Sequence, residues 1–240
     1  MRKKTVFITQ VRTGSTRLPG KILEIVERST LLSWFLRRSL KIRGVDELIV
    51  ATTDNVRDNH IVSVVSEEFP AIRLVRGSET DVLQRYAKAI RESEADIVIR
   101  IASDCPFLDW GLVEDCLGYR EKTNADVVKT RREDLPVGLD VEIFRAEALL
   151  CADREATEPA HREHVGPYVY ENPGIFSVSW FPYSGPRWPQ CRLTLDYRED
   201  LDLVRHLYRV LSPLAQASDI REYLEKHPEI AAMNLMHAHL

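Results

Sequence analysis

Thr5-Val6-Phe7-Ile8-Thr9, running directly into Gln10-Val11-Arg12-Thr13-Gly14-Ser15-Thr16-Arg17-Leu18-Pro19-Gly20-Lys21, is the stretch that decides how this chain folds. Its first part is β-branched, aromatic and apolar, the composition of a buried strand. The second part breaks that strand with Gly14, Pro19 and Gly20 and adds hydroxyls and the cations Arg12, Arg17 and Lys21. Such a loop suits phosphate, because glycine lets the backbone come close and Arg and Lys neutralise the anion. It is not a P-loop: five residues separate Gly14 from Gly20 instead of four, and Ile22 stands where Ser or Thr should follow the lysine. Nor is it the G-x-G-x-x-G of a dinucleotide site. The competing reading of the segment by itself is an exposed basic loop.

Outward from this point strands alternate with helices. Helices are predicted over residues 30–40, 56–69 and 81–91, the last with Val82, Leu83, Tyr86, Ala89 and Ile90 on one face. Strands are predicted over 47–52, 72–75 and 96–102, the last ending at Ser103-Asp104. The early strands are apolar on both sides, as in a sheet covered by helices on both faces. This order implies an α/β fold with a mostly parallel sheet and right-handed crossovers, whose ligands lie beyond the carboxyl ends of the strands. The second half is less regular, with strands expected over 139–144, 175–181 and 192–195 and helices over 159–171, 199–210 and 219–226.

Bulk properties narrow the function classes. Across 240 residues, 44% are hydrophobic and 29% charged, and the net charge of −4 provides no field for holding nucleic acid. The four cysteines have no C-x-x-C pair or zinc-like spacing, so free thiols in a reducing compartment are expected. The apolar run after Met1-Arg2-Lys3-Lys4 is too short for a signal peptide, and no stretch reaches a membrane span, so a cytoplasmic protein without membrane contact is expected.

Two carboxylates stand out beside the basic loop. Asp104 follows one predicted strand and Asp196, in Thr194-Leu195-Asp196, follows another, places from which aspartates can converge on one Mg²⁺. The structural alternatives are a turn before Pro106 for Asp104 and a helix N-cap for Asp196. His161 and His164 are spaced to share a helix face and are candidates for acceptor contact, for metal binding or for structure only. Asp140 and Glu142 alternate along a predicted strand, either as a solvated face or as the edge of a site. Trp180, Phe181, Tyr183 and Trp188, interrupted by prolines, offer a sugar platform, an oligomer contact or a packed loop. In the strand over 175–181, the face of Phe176, Val178 and Trp180 is apolar enough to call for a partner, which points to a homodimer.

The loop from Gln10 to Lys21 resembles the N-terminal signature of the CMP-sugar synthetase superfamily, which includes the CMP-Kdo and acylneuraminate cytidylyltransferases. Further segments match in order: Arg76-Gly77-Ser78-Glu79-Thr80-Asp81-Val82-Leu83-Gln84-Arg85-Tyr86, Asp104-Cys105-Pro106, Gly138-Leu139-Asp140-Val141-Glu142, His161-Arg162-Glu163-His164-Val165, and Arg192-Leu193-Thr194-Leu195-Asp196 with Glu199-Asp200. The ordered set resembles in particular the SpsF-type cytidylyltransferases of spore-coat polysaccharide biosynthesis. It spans roughly residues 5 to 210, with Val11 where a small residue is usual, and the tail beyond about Val210 matches nothing in the pattern.

The resemblance implies a Rossmann-like, GT-A-like nucleotidyltransferase fold with a small substrate or dimerisation lobe. It also implies transfer of CMP from CTP to a sugar-like acceptor, with Mg²⁺ as cofactor, in surface polysaccharide or glycoconjugate synthesis. Lys21, Arg12 and Arg17 would be catalytic, and Gln10, Arg12, Gly14, Ser15, Arg17, Lys21, Arg76, Gly77, Ser78 and Asp104 would bind nucleotide. Asp104 and Asp196 would hold metal, and Asp140, Glu142, His161 and His164 would meet the acceptor. One domain over residues 1–240 is expected, with a nucleotide-binding half (1–130), an acceptor-binding and possible dimerisation half (131–210) and a helical tail (211–240). Alternatives are a different base, a non-sugar acceptor, a glycosyltransferase on a related fold, or a non-catalytic nucleotide-binding subunit. No D-x-D stands after the strand ending at Ala102, which disfavours the glycosyltransferase, and retention of Lys21, Asp104 and Asp196 together disfavours the inactive subunit.

Overall fold

The computed structural model describes residues 2–237. The strands are β1 (Thr5–Gln10), a small hairpin of β2 (Ile25–Val26) and β3 (Ser29–Thr30), β4 (Glu47–Thr53), β5 (Arg73–Gly77), β6 (Ile97–Arg100), β7 (Val127–Lys129), β8 (Glu142–Arg145) and β9 (Val178–Trp180). The helices of the first two-thirds are α1 (Leu31–Ser39), α2 (Asn59–Glu68), α3 (Val82–Ser93), α4 (Trp110–Thr123) and α5 (Ala146–Glu155). They are followed by α6 (Pro159–His164), α7 (Pro167–Glu171), α8 (Arg198–Val210), α9 (Ala217–Lys226) and α10 (Pro228–Ala231). Outside the hairpin the strands form one seven-stranded sheet in the order β5-β4-β1-β6-β8-β7-β9. The β4–β5, β1–β4, β1–β6 and β7–β9 pairs are parallel, and only β8 runs against its neighbours β6 and β7.

Side-chain alternation along the strands builds two cores. Phe7, Leu48, Val50, Ile97 and Ile99 pack on one face with residues of α1, α4 and α8. Val6, Ile8, Ile49, Ala51 and Val98 pack on the other with α3 and α5. Central strands such as β1 are therefore buried on both sides, and each fully buried large apolar side chain contributes roughly 1.5–3 kcal/mol. Helix starts are fixed locally: Thr30 caps α1 through the Ser33 amide, Asp81 caps α3 through Gln84 and Asp109 caps α4 through Leu112. The result is an α/β fold with a mostly parallel sheet and helices on both faces, as the alternation in the first half implies.

The second half departs from expectation. The predicted helix over 159–171 is two short ones, broken where Val165 takes a positive φ of 71° and Gly166-Pro167 follows. The predicted strand over 139–144 shrinks to β8, so Asp140 lies in the approach to it, and the strand over 175–181 shrinks to β9. Residues 192–195 form no strand. They lie alongside other loops through single hydrogen bonds, Leu193 N–H to Val137 C=O (2.7 Å) and Leu195 N–H to Asp104 C=O (2.8 Å). Asp196 therefore sits in the loop before α8, whose N-cap is Tyr197. α4, β7 and α5 are additional to the elements predicted from the sequence; in α4 the third buried position after Val113 and Cys116 is Arg120, which blurs its apolar face.

The face of the 175–181 segment expected to need a partner is largely covered from within, because Phe176 and Val178 pack into the chain's own core. The helical tail is present as α9, α10 and a 3-10 turn (Leu235–His237); its residues 238–240, like Met1, lie outside the described residues. Among the described residues no helix is long and apolar enough to cross a membrane.

Candidate active site

The basic loop leaves β1 under tight control. The buried Tyr86 hydroxyl donates to Ile8 C=O (3.0 Å) and to the Gln10 side chain, and the Ser103 hydroxyl donates to Gln10 C=O (3.0 Å). Further on, the fully buried Asp58 carboxylate accepts from Thr13 N–H (2.8 Å), the Thr13 hydroxyl (2.6 Å) and the Thr53 hydroxyl. Burial acts to raise the Asp58 pKa, but these donors outweigh it and hold it below the ordinary value. At the loop's end Gly20 takes a left-handed φ of 71°, which a side chain would strain, and starts the short 3-10 turn Lys21–Leu23.

Lys21 is the centre of the site. Its ammonium lies 3.0 Å from Asp104 Oδ2 and 3.0 Å from Asp196 Oδ1, and also donates to Leu195 C=O. Two carboxylate oxygens around one nitrogen are no further apart than twice that distance. Asp196 Oδ1 also meets Arg17 (2.7 Å), and its Oδ2 meets Arg192 (2.7 Å). Burial pulls the Lys21 pKa down, yet Asp104 and Asp196 raise it above its usual value. Burial pushes Asp196 up, yet Lys21 and Arg17 hold it low. Both groups are therefore charged at neutral pH.

Around this junction opens one cleft with two halves. The first, about 390 Å³, is lined by Arg12, Gly14, Ser15, Thr16, Arg85 and Glu163 among others. The second, about 560 Å³, is lined by Lys129, Arg132, Asp140, Glu142, Trp180 and Thr194 among others. Gln10, Arg17, Arg100, Asp104, His164 and Asp196 border both halves. The halves thus meet at the two aspartates, the place where a bond between two bound molecules would be made.

Most residues expected in the site are brought here, but not all. Arg12 spans to Glu79 C=O (3.2 Å) and the Glu163 carboxylate (3.4 Å) at the rim. Arg76 is turned away from the cleft, with donors committed to Thr53 C=O (2.8 Å), Asn59 (2.9 Å) and Asn55 C=O (3.0 Å). Gly77 and Ser78 do not line either half: Gly77 packs on Arg85 and the Ser78 hydroxyl accepts from Asp81 N–H (3.1 Å). His164 reaches the cleft, whereas His161 does not line it and pairs with Glu171 of α7 (2.7 Å). Asp140 and Glu142 share the second half without sharing a strand; Asp140 accepts from Gly138 N–H (3.1 Å), and Glu142 is bound by Arg100 and Tyr170. Burial acts to raise Glu142, but Arg100 and Lys129 keep it below the carboxylate norm.

Sequence reasoning missed Asp58, Arg85, Arg100, Glu163, Arg192 and Asp200. Arg85 had a usable signal: it is a cation between Val82 and Ala89 on the apolar face of α3, fully buried, with Nη1 on Ala51 C=O (2.8 Å). Glu163, Arg192 and Asp200 stand within the segments that match the family pattern, without a role attached to them there, whereas Asp58 and Arg100 lie outside those segments.

A metal is constrained by the donors available. Among the described residues no group of three or more His, Cys, Asp or Glu is placed to hold one. Of the carboxylates that line the cleft, Asp104 and Asp196 are the pair that converges, both within 3.0 Å of the Lys21 ammonium. That set fits Mg²⁺, which takes one or two carboxylates and completes its shell with water and substrate phosphates, and does not fit a closed structural zinc site.

A basic loop from the first strand and two aspartates gathered at the carboxyl edge of a doubly wound sheet define a nucleotidyltransferase architecture. More narrowly, the chain belongs to the cytidylyltransferase family, whose model, described as "Cytidylyltransferase", matches residues 6–227. Over 236 residues it is 35% identical to an uncharacterized protein of Methanocaldococcus jannaschii, covering 96% of this chain and 94% of that one. Over 234 residues it is 31% identical to the spore coat polysaccharide biosynthesis protein SpsF of Bacillus subtilis, covering 94% and 96%. The solved structure of a cytidylyltransferase from Leptospira borgpetersenii superposes with a TM-score of 0.88 at 28% identity, covering 96% of this chain and 97% of that one.

Proposed function

We propose that this protein transfers CMP from CTP to a hydroxyl of a sugar-like acceptor, releasing pyrophosphate, in the cytoplasm and in the service of surface polysaccharide or glycoconjugate synthesis. The observation that carries the reading is the Lys21 ammonium held by Asp104 and Asp196 where the two halves of the cleft meet. The first half, with the basic loop, takes the triphosphate; the second, with Lys129, Arg132 and Trp180, takes the acceptor. The acceptor oxygen forms a bond to the α-phosphorus, the bond to the bridging oxygen of pyrophosphate breaks, and the hydroxyl proton passes to solvent. Negative charge grows on phosphoryl oxygens, and Lys21, Arg12 and Arg17 are fixed cations for it, so positioning and electrostatics supply the catalysis. Asp104 and Asp196 would hold Mg²⁺, which supplies further neutralisation of phosphate charge when bound. No covalent nucleophile is called for.

The test is calorimetric titration with CTP, UTP, ATP and GTP in Mg²⁺, followed by pyrophosphate release against a panel of sugars including sugar acids. CTP should bind best. Tight purine binding without CTP binding would turn the assignment to another base. For assembly we favour a homodimer through the free edge of β9, where Ile175 and Trp180 remain exposed; a monodisperse monomer at micromolar concentration in light scattering excludes it.

A further inference from the structure

The tail beyond α9 lies outside the family-matched residues 6–227, yet it reaches the cleft's central aspartate by two routes. The first runs through Asn234, which is fully buried. Its side-chain NH₂ donates to Arg192 C=O (2.9 Å) and to Asp200 Oδ1 (2.7 Å). Asp200 is also fully buried; its Oδ1 accepts from Arg192 Nε (3.2 Å) and its Oδ2 from the backbone N–H of Asp196 (2.7 Å) and Tyr197 (2.9 Å). Arg192 in turn binds the Asp196 carboxylate. Asp196 is thus held by its backbone through Asp200 and by its side chain through Arg192, and Asn234 bridges the two holders. The second route is His237, stacked on Tyr197 at 3.8 Å between ring centroids and 8° between planes. Arg17, which also binds Asp196, lies 5.0 Å from the centroid of the same tyrosine ring.

The orientation of Asn234 is dictated by chemistry. Both neighbours are acceptors, so only its NH₂ can face them. Its Oδ1 is left buried without a partner. A polar side chain kept in such a place with an orphaned oxygen is explained by the two hydrogen bonds it donates. A tail needing only to cover the core would be served as well by leucine.

We infer that Asn234 is a positioning residue of the nucleotide site: acting through Asp200 and Arg192, it fixes the Asp196 carboxylate against Lys21. The inference rests on the reading of Asp196 as part of that site. The test uses the full chain with Asn234→Leu, which keeps the branched heavy-atom outline and removes the donors, and His237→Ala, which removes the stack on Tyr197 together with the contact to Glu199. CTP binding is measured by calorimetry in Mg²⁺ and in EDTA, and the Asn234→Leu crystal structure is compared with the parent's. Asn234→Leu should weaken Mg²⁺-supported CTP binding about tenfold while leaving binding in EDTA within twofold, with the Asp196 carboxylate withdrawn from Lys21. His237→Ala, on the separate Tyr197 route, should show the same pattern at about threefold; if Asn234→Leu does not fold, Asn234→Ala, which removes the same donors without added bulk, is read by the same titrations and decides the matter. A purely structural role lowers the melting temperature but leaves the Mg²⁺-supported affinity within twofold and Asp196 on Lys21, and that result overturns the inference. A parent that binds no CTP at all refutes the proposed function instead, and the position of Asp196 in the two crystal structures then still decides the role of Asn234.

Discussion

Asp58→Ala tests how the phosphate-facing loop is held. The carboxylate is fully buried and accepts three hydrogen bonds, two from Thr13 and one from Thr53, so it ties the end of β4 to the loop leaving β1. Removing it strands the Thr13 amide and the hydroxyl of the fully buried Thr53. Orphaned buried donors cost about 1–3 kcal/mol each, so the loss is about 4 kcal/mol. For a chain of this size each kcal/mol moves the melting temperature by about 2–4 °C, which makes the expected drop roughly 8–16 °C. Asp58→Asn keeps one acceptor oxygen for Thr13 and should lose less than half as much. The pH dependence has a definite sign. The folded pKa is depressed, so the contribution is complete above the unfolded value near pH 4 and is lost as the pH falls toward the folded value. The gap between parent and Asp58→Ala should therefore be widest at neutral pH and close in acid. The assay is calorimetric melting at several pH values, with CTP titration at neutral pH. If Asp58→Ala melts within 2 °C of the parent (about 1 kcal/mol or less) and binds CTP normally, the loop is held by something else and the reasoning fails.

Lys21→Ala should lower turnover about 10²–10³-fold, the usual cost of removing one donor to developing transition-state charge, with the far-ultraviolet circular dichroism unchanged; near-normal pyrophosphate release would take the loop out of the chemistry. Asp104→Asn and Asp196→Asn should each lose the Mg²⁺-dependent part of CTP binding and keep a weak metal-independent part carried by the basic loop, which titration in EDTA measures directly. Burial pushes the Cys105 and Cys116 thiols above their ordinary range, so an aromatic disulfide reagent should leave both unmodified in the native protein and react with them only after denaturation, as mass spectrometry of the labelled peptides would read.

Those parts of the architecture that are written locally were legible in the sequence. β1 and its loop can be read because strand propensity, glycines and cations lie in one run, and the same holds for the alternation through β6. Asp104 was placed correctly beyond β6, with the turn Ser103-Asp104-Cys105-Pro106 visible in the residues themselves. Asp196 was found for the wrong local reason: residues 192–195 read as a strand but are held by isolated hydrogen bonds to Val137 and Asp104. Arg76 is expected at the nucleotide from the family resemblance alone, and its donors are committed to Thr53, Asn55 and Asn59, partners that local sequence does not show. The network of Arg192, Asp200 and Asn234 was out of reach, since its partners come together only through tertiary closure. His161 and His164 both lie within α6, as the spacing implies, but only His164 borders the cleft; His161 is drawn to Glu171 of α7, which comes beside it only through the turn at Val165-Gly166.

The grip of Lys21 on Asp104 and Asp196 joins residues separated by 83 and 175 positions along the chain. During synthesis the chain leaves the ribosome amino-terminus first, at about 5–20 residues per second. The loop bearing Lys21 is therefore out many seconds before its second carboxylate exists outside the tunnel, and Asn234 follows later still. Until then the lysine has Asp104 as its one acidic neighbour and the cleft lacks a wall. A nascent chain stalled before α8 would lack the second carboxylate on Lys21 and the α8 side chains that pack with Phe7 of β1, so the site closes only once the segment through α8 has emerged.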